Sequence, residues 1–238
     1  MALTIRSAQT IQGGIRLKGN QFNPGGSMYF DGTSSWLSTG QASDLTPGTG
    51  DFTVEWWQNM DPASTINARL WEIGGWPSTL WGVSLEGSSS PSLLYWDSQT
   101  SSYNNGGAVP VNTWAHVALV RQSNALTFYI NGSVVYTNSD SRNITNSGNL
   151  PLTLGAENGG AGNTLWKGYL TNFRINLNAV YTAAFTPPTS PLTADANTKL
   201  LMLAIDSPGA FLDSSGLGHS FTQHGAGVTW TSNTPFNG

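Results

Sequence analysis

The sequence predicts an all-β protein, two antiparallel sheets packed face to face as a β-sandwich, and three observations predict it. Apolar residues alternate with polar ones over short runs, as in Leu126, Phe128 and Ile130 against Thr127 and Tyr129, which is the period of a half-buried strand. Pairs such as Pro47-Gly48 and Asn131-Gly132 punctuate these runs with turn chemistry. Charged residues make up only 9% of the chain, against about 25% in an average globular domain. Ten Trp, nine Phe and seven Tyr nevertheless supply the area a core must bury. A sandwich of 238 residues is expected to be one domain.

The pattern centres on residues 112–137. Thr113 to Arg121 is rich in β-branched and aromatic residues and apolar on both faces, as a central strand requires. A polar loop, Gln122–Ala125, turns the chain into Leu126–Ile130. Asn131-Gly132, two residues that tolerate positive φ, then makes a tight type I′ hairpin into Val134–Thr137. Trp114 and Phe128 are expected to be mostly buried. Earlier in the chain, Asp51–Trp57, Leu70–Ile73, Leu80–Leu85 and Leu93–Asp97 read as strands. Later ones are Leu152–Gly155, Leu165–Ile175, Lys199–Ile205, Phe221–Gln223 and Val228–Trp230. Gly74–Pro77, Gly87–Pro91, Ser101–Gly107 and Glu157–Asn163 read as loops.

Trp114-Ala115-His116-Val117-Ala118-Leu119, followed by Phe128-Tyr129-Ile130-Asn131-Gly132, resembles the centre of laminin-G-like domains. These belong to the concanavalin A-like lectin and glucanase superfamily. Tyr29-Phe30-Asp31-Gly32, Phe52-Thr53-Val54 and Leu165 to Ile175 are similar in type to other strands of that family. The resemblance implies a two-sheet jelly roll over residues 25–238, with residues 1–24 standing apart. A Pro-rich exit, Tyr181 to Pro191, precedes a strand and then Asp213-Ser214-Ser215-Gly216-Leu217-Gly218-His219, and this order resembles virion structural proteins of tailed phages. That resemblance implies a capsid-decoration or tail-associated role on the virion surface, other virion proteins as partners, and synthesis in the host cytoplasm. The alternative is a free-standing carbohydrate-binding lectin with no assembly role. In laminin-G-like domains the Asp-x-Ser-Gly motif opens the chain rather than closing it. Here the late strands are therefore expected to complete the sheet holding the early ones, or to be donated to a neighbour in a homo-oligomer.

Residues 1–24 carry Arg6, Arg16 and Lys18 and no acid, whereas the rest has six Lys/Arg and thirteen Asp/Glu, a balance of 6 − 13 = −7. Two readings stand: an ordinary terminus with an added edge strand, or a basic arm whose Arg6, Arg16 and Lys18 attach the protein to a larger assembly. The overall charge of −4 gives no reason to expect nucleic acid. No apolar run approaches a membrane span, the first residues lack a signal-peptide pattern, and the absence of cysteine excludes disulfides and thiolate metal sites.

Chemistry is sparse. Glycosidases of this superfamily carry alternate carboxylates on one strand, and Glu55, Glu72 and Asp97 stand isolated in sequence. His116, His219 and His224 have no partners at ligand spacing, so neither a metal nor another cofactor is expected. His116 is expected to be a hydrogen-bonded structural residue. What remains is binding. Glycan sites use an exposed ring for the sugar's apolar face and amides for its hydroxyls. Trp76 beside Pro77, and Tyr103 with Asn104 and Asn105, lie in segments read as loops and form the expected site for host-surface or environmental glycans. Trp81 and Tyr95 sit at alternating strand positions and are assigned to the core.

Overall fold

The computed structural model describes residues 25–40, 42–64, 67–75, 81–86, 92–97, 100–160, 164–205 and 211–236, and of residues 86, 96, 97 and 100–105 it describes the backbone. In chain order the strands are β1 (Ser27–Asp31), β2 (Trp36–Thr39), β3 (Phe52–Met60), β4 (Arg69–Ile73), β5 (Trp81–Glu86), β6 (Ser92–Asp97), β7 (Thr100–Ala108) and β8 (Trp114–Gln122). There follow β9 (Ala125–Ile130), β10 (Ser133–Ser139), β11 (Leu152–Leu154), β12 (Lys167–Asn176), β13 (Thr198–Ala204), β14 (Phe211–Asp213), β15 (Phe221–His224) and β16 (Thr229–Thr231). Helix among the described residues is confined to one 3-10 turn, Ser43–Leu45.

One sheet runs β10-β9-β8-β3-β12-β1-β16, with β13 also paired to β12 and β14 to β13; the other runs β15-β2-β11-β4-β5-β6-β7. The central meander is where the sequence places it. β8 lies between β3 and β9, and β9 continues into β10 through Asn131 and Gly132 at φ 50° and 76°, both positive as a type I′ turn demands. The turn before it is tighter than expected. Gln122 pairs directly with Ala125, leaving a two-residue turn in which Ser123 and Asn124 take φ 47° and 69°.

Inward-facing residues of both sheets make the core. In the second sheet Leu37, Leu154, Trp71, Val83 and Tyr95 occupy one register row across five strands, and all are buried. Facing them, β3 contributes Phe52, Val54 and Trp56, and β8 contributes Val117 and Leu119. The indoles meet edge-on, Trp71 with Trp81 at 4.9 Å and Trp56 with Trp71 at 6.5 Å between centroids, the arrangement their quadrupoles favour. Burying such side chains is worth about 1.5–3 kcal/mol each. Aromatic rings are thus a large part of the buried area beside the aliphatic side chains.

The late strands join the early ones in both sheets: β16 pairs with β1, and β15 with β2. A histidine clasp holds the connecting turn. His219 Nδ1 lies 2.9 Å from Asp213 Oδ2 and its Nε2 3.1 Å from Asp44 Oδ2, tying the carboxyl-terminal turn to the 3-10 turn near the start.

The outer face of the first sheet has a cover of its own. After β12 the chain crosses it as a strap, residues 177–192, which contains the Pro-rich exit Tyr181 to Pro191 read from sequence. The strap is pinned by Val180 N–H donating to Thr53 Oγ1 (2.9 Å), Phe185 N–H to Gly132 O (3.0 Å) and Leu192 N–H to Asn172 Oδ1 (2.6 Å). Gly132 serves here a second time, since a β-carbon on it would stand 1.8 Å from the Phe185 carbonyl oxygen. Tyr181 and Phe185 stack at 3.6 Å, and Tyr129, Ala118 and Val120 pack beneath them as a small second core.

Under the strap lies a buried ionic knot, made possible by a bulge. Asn172 in β12 takes φ 53°, and the register with β3 jumps from Thr171 opposite Trp57 to Arg174 opposite Glu55. The extra residue re-aims the strand and sets Arg174 beside Glu55 on the outer face. Glu55 Oε1 accepts from Arg174 Nε (2.8 Å) and Nη2, and Oε2 accepts from Tyr181 O–H at 2.7 Å, with His116 Nε2 3.0 Å away. Burial pushes the Glu55 carboxyl up, but the His116 hydrogen bond and the Arg174 charge outweigh it and hold it below the ordinary range. Burial and the neighbouring Glu55 charge push the Tyr181 phenol far up, so it stays a donor.

One expectation is corrected. Ser101 to Gly107 is not a loop: Thr100–Ala108 forms β7, an edge strand whose ladder to β6 lets it extend, with Gly106 fitting against Leu93 and Phe128 where a β-carbon would stand 2.9 Å from either. Phe128 is fully buried, and Trp114 keeps part of its ring exposed on the outer face beyond the strap. Residues 1–24, including Arg6, Arg16 and Lys18, fall outside the described residues.

Removing one member of the knot should be costly. Arg174→Met leaves Glu55 buried without its countercharge, an expected loss of about 3–5 kcal/mol. Adding Glu55→Gln should recover much of it, because the pair is coupled. Urea unfolding of the two variants checks this, and a loss below about 1 kcal/mol for Arg174→Met would contradict it.

Candidate functional site

Where the strap ends, the outer face of the first sheet opens. Each strand there alternates inward apolar residues with outward ones: Met28 and Phe30 inward, Tyr29 outward; Gly168 and Leu170 inward, Tyr169 outward. The ladder then aligns the outward positions. Tyr29 faces Tyr169, Tyr169 faces Asn59, and Asn59 faces Trp114, one row across β1, β12, β3 and β8. At about 4.8 Å per strand the row spans about 14 Å. All four side chains are half-buried. The Tyr29 and Tyr169 rings lie 5.0 Å apart at 49°, and Tyr169 and Trp114 lie 6.3 Å apart at 52°. This is a twisted aromatic platform with an amide set into it.

Polar groups flank the platform on one side. Lys167, opposite Asp31 in the ladder, places its Nζ 3.3 Å from Asp61 Oδ2, and both side chains are 30% exposed. Asp31 itself accepts the Thr33 and Ser34 N–H groups at 3.0 and 3.2 Å. On the other side the next row carries Thr171, Trp57 and His116. Half-exposed rings retain apolar area that water solvates poorly, and a ligand with an apolar face can cover it. Asn59, Lys167 and Asp61 supply donors and acceptors for hydroxyl groups.

The carboxylates are placed differently. Glu55 is saturated by donors beneath the strap. Glu72 lies on the outer face of the second sheet, fully buried, accepting the Asn158 N–H at 3.1 Å on Oε1, with Arg69 Nε 3.3 Å from Oε2. Burial pushes it up to about 7 despite the Asn158 hydrogen bond and the Arg69 charge. Neither belongs to the aromatic row. His116 is buried in the knot, and His224 stacks on Trp36 at 4.5 Å with its Nε2 2.8 Å from Ser38 Oγ. Among the described residues no group of three or more His, Asp or Glu side chains converges to hold a metal ion.

The side chains of the site expected from sequence lie outside the described residues. Trp76 lies outside the described residues. Tyr103, Asn104 and Asn105 lie on β7 at the edge of the other sheet, with Asn104 opposite Tyr95 and Asn105 opposite Leu94. Trp81 and Tyr95 are fully buried, as expected of core rings. The row of Tyr29, Tyr169, Asn59 and Trp114 is not among the candidates read from sequence. The available signal was local: tyrosines on the polar phase of alternating strands, flanked by Asp31 and by Lys167 and Thr171.

A two-sheet antiparallel jelly roll with an open aromatic face defines a lectin-like β-sandwich. The chain belongs to the concanavalin A-like lectin/glucanases superfamily, whose family pattern matches residues 31–186. No curated protein matches the sequence. Among solved structures it is similar to a candidate carbohydrate-binding protein from Bacteroides ovatus ATCC 8483, at 15% identity and TM-score 0.65, covering 87% of this chain and 59% of that one. The chain thus spans about three fifths of that protein. It is also similar to the heptameric SAP-like pentraxin of Limulus polyphemus, at 16% identity and TM-score 0.61, covering 87% of this chain and 94% of that one. Likeness at these identities is a likeness of fold.

Glu72 provides a test of the electrostatics. Its carboxyl titrates near 7 when folded and near 4.5 when not, so the native state binds the extra proton between those values. Stability attributable to it is full below about pH 4.5 and is lost as the pH rises through 7, a total of ~3 kcal/mol. Glu72→Gln should therefore be more stable than the parent at pH 8 and close to it at pH 4.5, measured by urea unfolding. A parent advantage at pH 8 would contradict this.

Proposed function

We propose that this protein is a non-enzymatic carbohydrate-binding module, and that its ligand lies on the row Tyr29, Tyr169, Asn59 and Trp114. The observation that carries the reading is the row itself: three half-buried rings and an amide in one register on the face left open by the strap. Sugars present an apolar C–H face to such rings and hydroxyls to such amides. Its superfamily membership and its likeness to a candidate carbohydrate-binding protein support binding as the class of activity. Two carboxylates are withdrawn from reaction, Glu55 with its lone pairs taken by Arg174, Tyr181 and His116, and Glu72 buried on the other sheet, while beside the row Asp31 accepts the Thr33 and Ser34 N–H groups and Asp61 is paired with Lys167.

The setting of this module is read from the sequence. The Pro-rich exit and Asp213-Ser214-Ser215-Gly216 turn resemble tailed-phage virion proteins, and Arg6, Arg16 and Lys18 form an acid-free basic segment. We therefore read the protein as displayed on a virion surface, attached through residues 1–24, with its open face turned to glycans. The alternative remains a free lectin with the same site and no particle. Deleting residues 1–24 should lower occupancy on purified particles and leave the sandwich folded; unchanged occupancy would place attachment elsewhere.

Tyr29→Ala and Tyr169→Ala should each weaken glycan binding about tenfold, the scale of a single contact worth about 1.4 kcal/mol. Each should cost about 1 kcal/mol of stability or less, a few degrees in Tm at most. A glycan array followed by titration calorimetry and a thermal melt checks both. Undiminished binding by the double variant would remove the row as the site.

A further inference from the structure

After β16 a short tail segment, Ser232 to Phe236, lies beside the aromatic row. β16 ends at Thr231, opposite Ser27 at the sheet edge. From there the chain does not leave the domain. Trp114 Nε1–H donates to Asn233 Oδ1 at 3.2 Å, Thr234 is buried, and Phe236 meets Trp57 edge-on at 5.9 Å. Trp57 is on β3, three strands in from β16. Five residues in an extended path cover about 16 Å, the width of about three strand spacings, so the tail returns across β1 and β12 over the outer face.

The register says what it crosses. Met28 pairs with Leu170 and Thr171 with Trp57, which puts Ser27 and Thr171 side by side in the row under this path. These are the small residues of the face, and both are fully buried. Between the Tyr29–Tyr169–Trp114 ridge and Trp57 there is therefore a groove with a floor of short hydroxyl side chains. Two polar atoms in it are buried without a hydrogen-bond partner, Ser27 Oγ and Trp57 Nε1. The tail covers the groove and takes one of its donors, the Trp114 indole N–H, while Ser27 Oγ and Trp57 Nε1 stay unpartnered. The tail's sequence, Ser232-Asn233-Thr234-Pro235-Phe236, is uncharged, hydroxyl- and amide-bearing, with one ring.

We propose that the tail is a displaceable occupant of a longer binding groove, whose ligand is a neutral, extended oligosaccharide running across the strands from β1 toward β8. This rests on the carbohydrate-binding reading of the Tyr29 row and extends it by one register row. A chain long enough to lie along the groove stacks on Tyr29, Tyr169 and Trp114. It also takes the Ser27 hydroxyl and the indole N–H groups of Trp57 and Trp114, once the tail has moved aside. A monosaccharide uses the ridge alone and leaves the tail in place. Because the open state must be populated before a long ligand binds, the tail lowers apparent affinity for long chains and not for short ones.

The test uses the chain ending at Ser232 and, because truncation can disturb β16, the full-length Asn233→Ala/Phe236→Ala variant. Both are compared with the parent on neutral linear hexasaccharides (β-1,3-glucan, β-1,4-glucan, β-1,4-mannan and α-1,4-glucan) and the corresponding monosaccharides. The expected result is about tenfold tighter binding of at least one hexasaccharide by both variants, unchanged monosaccharide binding, and an unchanged far-ultraviolet spectrum. Equal hexasaccharide affinity in parent and variants, with binding still lost in Tyr29→Ala, would overturn the tail proposal and leave the site standing. Weaker hexasaccharide binding by Asn233→Ala/Phe236→Ala would overturn it too, since the tail would then be part of the ligand site. No binding of any of these sugars by parent or variants would overturn both readings.

Discussion

The contact between Glu55 and Arg174 organises one whole face of this protein. Two charges fully or nearly withdrawn from water are unfavourable unless their hydrogen-bonding capacity is met, and here it is met by Tyr181, His116 and the Thr193 carbonyl, which accepts from Arg174 Nη1 at 2.9 Å. Each member of the knot is brought in by a different part of the chain. The bulge at Asn172 turns Arg174 outward, the strap brings Tyr181 down, and His116 stands opposite Trp57 on β8. The strap in turn needs the Asn131-Gly132 hairpin for its Phe185 contact. The ionic knot therefore couples β3, β8, β12 and a segment without regular structure.

That coupling also explains where a ligand can lie. Sheet faces in a sandwich are ordinarily divided into one apolar and one solvated side. In this protein the solvated side of the first sheet is divided again. The strap covers the end that carries Glu55 and Tyr129, and the tail lies over the row of Ser27 and Thr171. Tyr29, Tyr169, Asn59 and Trp114 are left along the remaining row. Rings at strand positions of a rigid sheet are held more firmly than rings on loops, since neighbouring side chains limit their rotamers. A platform of this kind loses little conformational freedom on binding, which helps affinity for ligands with weak individual contacts.

The matched family region, residues 31–186, contains the strap's first half and most of the aromatic row. It stops short of β13 to β16. Those later strands close both sheets against β1 and β2 and supply the tail. The His219 clasp to Asp44 and Asp213 anchors this addition to the family domain. The portion beyond the matched region is thus built into the sandwich and not hung from it, and it is the portion that reaches the proposed groove.

Much of the fold was legible in the sequence because strand alternation and turn chemistry are local. Asn131-Gly132 specified its hairpin, Leu126, Phe128 and Ile130 their inward face, and Trp81 and Tyr95 their burial. Locality is also why Thr100–Ala108 read as a loop: Gly106, Gly107 and two asparagines are turn residues by propensity, and only pairing with β6 makes them a strand. The ionic knot was unreadable for a different reason. Glu55 and Arg174 are separated by more than a hundred residues, and their meeting depends on one inserted position in β12. The same holds for the proposed binding row. Each of Tyr29, Asn59, Trp114 and Tyr169 announces only its own outward phase. Their alignment is a property of register, which a shift of one residue would destroy by sending every side chain to the opposite face. The sequence by itself determined which residues point outward. The tertiary structure decided which of them stand together, and which are covered by the strap and the tail.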